Sequence, residues 1–425
     1  MTLTTSTESC CPEFAAISRR GLFRGAVALT AATTTVLGSA VVRASAAPAN
    51  ATARAVLVVL SMRGAADGLS LVVPHNDPDY YAARPKIAIP AAQLLHKNDT
   101  FGLHPELAPL VPLFEQGRMA AVHATGLPSP NRSHFAAMEE IEDANPDSTL
   151  REGWLNRLIG TDSNDSPLQG FNLAAGVPPT SLYGDQSIVS AGSVAAMTIP
   201  GDDEWDPDGR RLRSLHRLWD GSNGPMGKAM RSTFRAAADF QPVRDTSENP
   251  KNGAVYPEND LGRALREVAR IVRGDVGVEV ITVDQGDWDH HTGLGTIANG
   301  RMKDNAADLA RAIAAFFTDL GNVGDKVTLV TMSEFGRRVK ENANQGLDHG
   351  YGNVMFLAGG GVKGGYYGTM PDLRNESDAD LTVTTDYRSV LSEVVSSRFG
   401  ASPASVFPGF ANPTNVGVML PASPG

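Results

Sequence analysis

Two short apolar runs, VGVEVITV (276–283) and KVTLVTM (326–332), each break off into acidic and imidazole side chains: DWDHH at 287–291, and SEFGR followed by DHG across 333–350. Both runs are rich in Val, Ile and Thr and are bounded by Gly or Asp, the pattern of a buried strand. In an open α/β sheet, residues from distant parts of the chain meet just beyond the carboxyl ends of the strands. Carboxylates and imidazoles placed at two such exits suit chemistry better than packing.

The rest of the chain alternates in the same way. Strand-like AVLVVL (55–60) leads into a turn carrying Asp67, and strand-like MAAVHAT (119–125) leads through GLPSPNRS into a helical pattern at 133–144. Helix-like LGRALREVARIVRG (261–274) and DNAADLARAIAAFFTDLG (304–321) flank the run at 276–283, NVMFLA (353–358) adds a strand, and 387–399 has helical spacing. This order predicts an α/β domain built on a parallel sheet. The stretch 178–257 is rich in Gly, Pro, Asp and Ser, and is expected to be a loop-rich insertion or lid holding one basic amphipathic segment, GRRLRSLHRLWDG (209–221).

The first 46 residues combine SRRGLFR (18–24), an uncharged stretch at 25–42 and Ala44-Ser45-Ala46. Paired arginines, a moderate apolar core and a small-residue cleavage site together predict a twin-arginine signal peptide, read by that export machinery and removed after Ala46. Residues 47–425 then form the mature domain, with an extracellular, periplasmic or cell-envelope location. The two cysteines, Cys10 and Cys11, fall in the leader, so thiolate ligands and disulfides are excluded from the mature chain and any metal binds through oxygen and nitrogen. Taking Arg19, Arg20, Arg24 and Arg43 from 37 basic residues, and Glu8 and Glu13 from 47 acidic ones, leaves 33 and 45, a formal charge of −12. That acidity argues against a nucleic-acid partner. No apolar run after the leader is long enough to span a bilayer.

Asp289 and His291 would share one side of an extended strand end, while Asp287 and His291 have a spacing suited to a turn. Either pair could hold a divalent ion, and a mixed nitrogen and oxygen shell suits zinc or manganese. Glu334 follows its strand directly and could ligate, with Arg337 three residues on gripping an anion. Asp348 and His349 sit between glycines in a loop that could bring further ligands. Ser133, flanked by Arg132 and His134, is either a helix cap or a nucleophile at a helix N-terminus. No G-x-S-x-G elbow occurs, the Gly-rich GGGVKGG (359–365) lacks a P-loop ending, and EWDPDG (204–209) lacks the closing Glu of a calcium loop. Among the scattered histidines, His104 stands out.

Laid in order, RGAADGL (63–69), GLHPELAPL (102–110), NRSHF (131–135), GDWDHHTG (286–293), SEFGR, DHG and GGGVKGG resemble an exported bacterial family catalogued as domain of unknown function fifteen hundred and one, labelled sulfatase-like. That family is distantly similar to the alkaline phosphatase and sulfatase superfamily. The resemblance implies a three-layer sandwich with a mostly parallel sheet and helices on both faces, one or two divalent ions, Asp67 as a ligand and Ser133 as nucleophile. It also implies Asp289 or Asp287 with His291 at one ion, and His349 as a late ligand. Where the superfamily has Asp-His after a strand, this chain has Glu334 and Phe335. Two functions are therefore expected. One is a metal-dependent hydrolase of phosphate or sulfate esters, small-molecule or glycan, with Ser133, Arg132 and Arg337 catalytic and Asp67, Asp287, Asp289, His291, Glu334, Asp348 and His349 around the metal. The other is a non-catalytic envelope or polysaccharide-binding protein that keeps a degenerate metal site.

Overall fold

The computed structural model describes residues 34–37, 40–43, 52–146, 148–162, 164, 166–199 and 206–421. Alternation of side chains along its first long strand sets the architecture. In β3 (Val56–Met62), Val56, Val58 and Leu60 face one core while Leu57 and Val59 face another. A strand apolar on both sides needs cover on both sides, which is the condition for a parallel sheet between two helical layers.

That cover comes from the amphipathic segments. We number the helices of ten residues or more α1 (His134–Asp143), α2 (Arg210–Trp219), α3 (Pro225–Asp239), α4 (Asp260–Gly274), α5 (Arg301–Leu320) and α6 (Tyr387–Phe399). Leu265 and Val268 of α4 and Leu309, Ile313 and Phe316 of α5 pack with Val58 and Leu60. Ala137 and Ile141 of α1 and Val390, Leu391 and Val394 of α6 pack with Leu57 and Val59. Each fully buried Leu or Val contributes roughly 1.5–3 kcal/mol. Asn259 caps α4 by accepting from the Gly262 amide, and Asp386 caps α6 by accepting from the Arg388 amide.

The remaining strands are β1 (Thr34–Leu37), β2 (Ala40–Arg43), β4 (Val72–Pro74), β5 (Phe101–Leu103), β6 (Met119–Gly126), β7 (Gly170–Asn172), β8 (Ile188–Ala191), β9 (Val280–Gln285), β10 (Val327–Met332), β11 (Asn353–Gly359), β12 (Gly365–Tyr367) and β13 (Thr385–Asp386). The main sheet runs β1-β2-β8-β7-β9-β3-β10-β11-β6-β12, with β13 beside β6 and β4-β5 separate. From β8 to β10 every pair is parallel. Strand β11 is antiparallel to both β10 and β6, so β6 points the same way as β10. The carboxyl ends of β9, β3, β10 and β6 therefore open on one edge, and the three central ones are immediate neighbours.

The expected loop-rich insertion at 178–257 is more ordered than its composition implied. It supplies β8 to the main sheet and carries α2 and α3, with Leu212, Leu215 and Trp219 leaning on Met230 and Phe234. Most of the expected leader lies outside the described residues. Its two described strands pair with each other, and β2 pairs with β8, so cleavage after Ala46 would make β8 the sheet edge. Among the described residues no helix is long and apolar enough to cross a membrane.

Candidate metal centre

Strand β9 ends at Gln285, and the chain turns through Asp287, whose φ of 67° lies in the left-handed region. Trp288 is fully buried and anchors the turn, its amide donating to the Arg63 carbonyl at 3.2 Å. This sends Asp289 and His291 toward the loop that follows β10. Close backbone approach needs glycine at two points. A Cβ on Gly64 would lie 2.5 Å from the Asp289 nitrogen, and one on Gly346 would lie 2.0 Å from the His291 carbonyl oxygen.

Three imidazoles converge there. His349 Nε2 lies 3.0 Å from His134 Nε2 and 2.9 Å from His291 Nε2. Asp289 Oδ1 lies 3.2 Å from His291 Nε2, 3.8 Å from His134 Nε2 and 4.0 Å from His349 Nε2. His134, Asp289 and His349 each offer a ligand atom within 4.8 Å of the others. Around a tetrahedral zinc with Zn–N near 2.0–2.1 Å, ligand atoms sit roughly 3.3 Å apart, which these spacings bracket.

The opposite ring nitrogens fix the proton positions. His134 Nδ1 faces Glu334 Oε1 at 2.7 Å, His349 Nδ1 faces the Arg132 carbonyl at 2.8 Å, and His291 Nδ1 faces Asp348 Oδ1 at 3.4 Å. Carbonyls and carboxylates only accept, so each Nδ1 carries a hydrogen and each ring turns its Nε2 inward, the atom that can offer a lone pair to a cation. Burial pushes His349 down to about 4, which keeps it neutral at pH 7. Lone pairs facing one another at 3 Å repel unless a cation lies between them. Nδ1–H groups held by carboxylate or carbonyl are the usual outer partners of metal-ligating histidines. The residues therefore fit a divalent ion. His134 is 4% exposed, whereas Asp289, His291 and His349 are 20–21% exposed, so solvent reaches the group from their side.

Several expected roles change. Glu334 is the outer partner of His134 and not an inner ligand. Its Oε1 also accepts from the Gly64 amide at 2.8 Å, and its Oε2 accepts from Ser333 Oγ at 3.1 Å. Burial opposes its charge, but the His134 ring and the Gly64 amide hold its carboxyl below the usual range. Asp67 stands at the exit of β3 yet is tied up in a buried pair, with Arg84 Nη1 at 2.6 Å and Nη2 at 2.9 Å. Despite its burial, Arg84 keeps this carboxyl below its ordinary value. Arg337 is not available to grip an anion, because its fully buried guanidinium donates to the Gly64, Ala65 and Leu347 carbonyls and to Asp289 Oδ1. Asp287 is exposed at the turn, where its carbonyl accepts from Asn305 Nδ2, and the structure brings Asp289 rather than Asp287 to the cluster. The Asp348 carboxylate is 62% exposed and serves His291.

Ser133 is the N-cap residue of α1, but its side chain makes no capping hydrogen bond. Arg132 pairs with Asp380, which Arg338 also contacts at 3.2 Å. His104 lies outside the cluster, where its buried Nδ1 accepts from the Glu106 amide at 3.0 Å. The ligand that residue-by-residue reading passed over is His134. It stands first in α1, directly after Ser133, and its signal was the NRSHF segment at the exit of a strand.

No curated protein matches this chain. A solved structure described as "Crystal structure of Ps i-CgsB" is 13% identical over 82% of this chain and 72% of its own, with a TM-score of 0.34, too low to carry an argument. The sheet, mostly parallel in its centre and flanked by helices on both faces, is an α/β fold. The family described as "Protein of unknown function (DUF1501)" matches residues 54–391, and the chain belongs to it.

Proposed function

We propose that the chain is an exported, metal-dependent hydrolase of phosphate or sulfate esters that works with one divalent ion. The observation that carries this reading is the convergence of three Nε2 atoms and one carboxylate beyond the carboxyl ends of the central strands. Four inward ligands are enough for one ion, and with Asp67 committed to Arg84 no described carboxylate at the exit of β3 is left for a second. A bound divalent ion would polarise an ester oxygen and activate a hydroxyl for attack.

The chain's own groups supply the rest. Glu334, Asp348 and the Arg132 carbonyl hold protons on the outer ring nitrogens and keep the inner ones available. Ser133 stands at the N-terminus of α1, where backbone donors and the helix dipole favour negative charge. Its hydroxyl is not spent on capping. The likeness to the alkaline phosphatase and sulfatase superfamily belongs to this proposal, as do twin-arginine export and a periplasmic, extracellular or envelope location.

A second reading is favoured by the arginines. Arg337 is saturated by carbonyls and Asp289, and Arg132 is paired with Asp380, so neither is held ready for the anionic part of a substrate. An envelope protein that binds an ion without turnover would have the same inner ligands.

One experiment separates the two: metal content of untagged mature protein, with turnover of generic phosphate and sulfate esters measured before and after chelation. About one equivalent of metal with chelator-sensitive turnover supports the hydrolase. Metal without turnover favours the second reading, and no metal after incubation with excess zinc or manganese sinks both.

A further inference from the structure

Among the four converging groups Asp289 is the one carboxylate, and its oxygen is shared. Its Oδ1 accepts from Arg337 Nη2 at 2.6 Å. That guanidinium cannot swing away, because Nε donates to the Ala65 carbonyl at 2.7 Å, Nη1 to the Leu347 carbonyl at 3.0 Å and Nη2 to the Gly64 carbonyl at 2.5 Å. One side chain thus ties together the loops after β3 and β10 and reaches the ligand that follows β9. A carboxylate oxygen that accepts from a fully buried guanidinium has less charge to give a cation.

Resting on the ion-binding reading above, we infer that Arg337 is a positioning residue that sets the ion preference of the site, favouring zinc over manganese. Imidazole nitrogens suit zinc, whereas manganese draws more on carboxylate oxygen. Three imidazoles with one carboxylate damped by arginine make a nitrogen-dominated site. Without the guanidinium, Asp289 regains its full charge and can turn both oxygens to the ion, which helps manganese more than zinc.

The test is competitive titration of zinc and manganese into metal-free mature protein, comparing wild type with Arg337→Gln. The zinc-to-manganese affinity ratio is expected to shrink by about tenfold or more, the size of effect seen when outer partners of a metal site are changed. Loss of packing alone would weaken both ions together, so an unchanged ratio in folded Arg337→Gln overturns the inference. Should that variant fail to fold, Asp289→Asn with Arg337 intact decides, since the amide oxygen can still accept from the guanidinium. Zinc affinity is then expected to fall by about tenfold or less, and a larger loss would show that the carboxylate gives its charge to the ion and overturn the idea. Wild-type protein that binds neither ion overturns the site itself, and this role with it.

Discussion

His134 Nε2 and His349 Nε2 face each other at 3.0 Å while the other nitrogen of each ring is engaged by Glu334 or by the Arg132 carbonyl. Two neutral imidazoles in that arrangement repel unless a cation sits between them. Replacing either by alanine removes an inner ligand without touching the sheet. His134→Ala and His349→Ala are each expected to lower bound metal to below about a tenth of an equivalent after dialysis, with the fold retained, as read by elemental analysis beside circular dichroism. Full metal occupancy in either variant would remove that histidine from the ligand set.

Glu334 offers a finer test, because it acts on the ion through His134. Glu334→Gln keeps the shape and one acceptor oxygen but gives up the charge facing His134 Nδ1. Zinc affinity is expected to fall about 10–100-fold, the range typical of outer carboxylates, with a smaller loss than in His134→Ala. Equal losses in the two variants would make Glu334 an inner ligand after all.

Asp67 divides the structure's assignment from the resemblance's. Its pair with Arg84 is buried at both ends, the side chains being 1% and 0% exposed. Asp67→Ala leaves a buried guanidinium without its counter-charge, which costs about 3–5 kcal/mol of stability in denaturant titration. Metal content of the folded variant is expected to stay at the wild-type level. A loss of metal with stability intact would restore Asp67 to the ligand set.

How much of this was legible in the sequence follows from what each residue touches. Strands β3, β9 and β10 are buried on both faces, so they wrote themselves as continuous Val, Ile and Leu runs. Helix α6 came out at 387–399, residue for residue. Strand β8, with four residues, and β7, with three, are too short to stand out from turn-rich surroundings, and α2 has no buried residue to strengthen its pattern. At the site, Asp289 and His291 were legible because they follow a strand exit, and His349 because it sits with Asp348 between glycines in a loop. Glu334 and Arg337 sit at an exit too, but an inner ligand and the residue that orients one look alike in one dimension. Only the path of the chain tells that Glu334 meets a ring 200 residues away.

Away from the site, two buried histidines make stability depend on pH. Burial lowers both His104 and His123 from 6.5 to about 4. His123 is also stacked on Phe101 at 4.4 Å, with Nε2 2.9 Å from the Val72 carbonyl. Below pH 6.5 the unfolded chain binds protons that the folded rings refuse, so stability falls as pH drops from 6.5 through 4. Each ring is expected to contribute a loss of about 1.6 kcal/mol between pH 6.5 and pH 5. Denaturant titrations with chelator present check this, and His123→Phe should flatten the slope by its share. A slope unchanged in that variant would mean that His123 is charged in the fold.

Ser133 separates catalysis from structure, because its two possible roles predict opposite patterns. A capping serine changed to alanine typically costs about 0.5–2 kcal/mol, yet this side chain makes no capping bond. Ser133→Ala is therefore expected to shift the unfolding midpoint by less than about 0.5 kcal/mol, the range of substitutions away from special features. Metal content should also be unchanged, since the serine oxygen is not among the converging ligands. If the hydroxyl attacks the ester, kcat on a phosphate or sulfate ester should fall on the order of a thousandfold or more, leaving only what the ion and binding can do without a nucleophile. A burst of product before steady state in the wild type, absent in Ser133→Ala, would mark the covalent step. Turnover within about twofold of wild type would instead assign the attack to a water and leave Ser133 as the residue that starts α1.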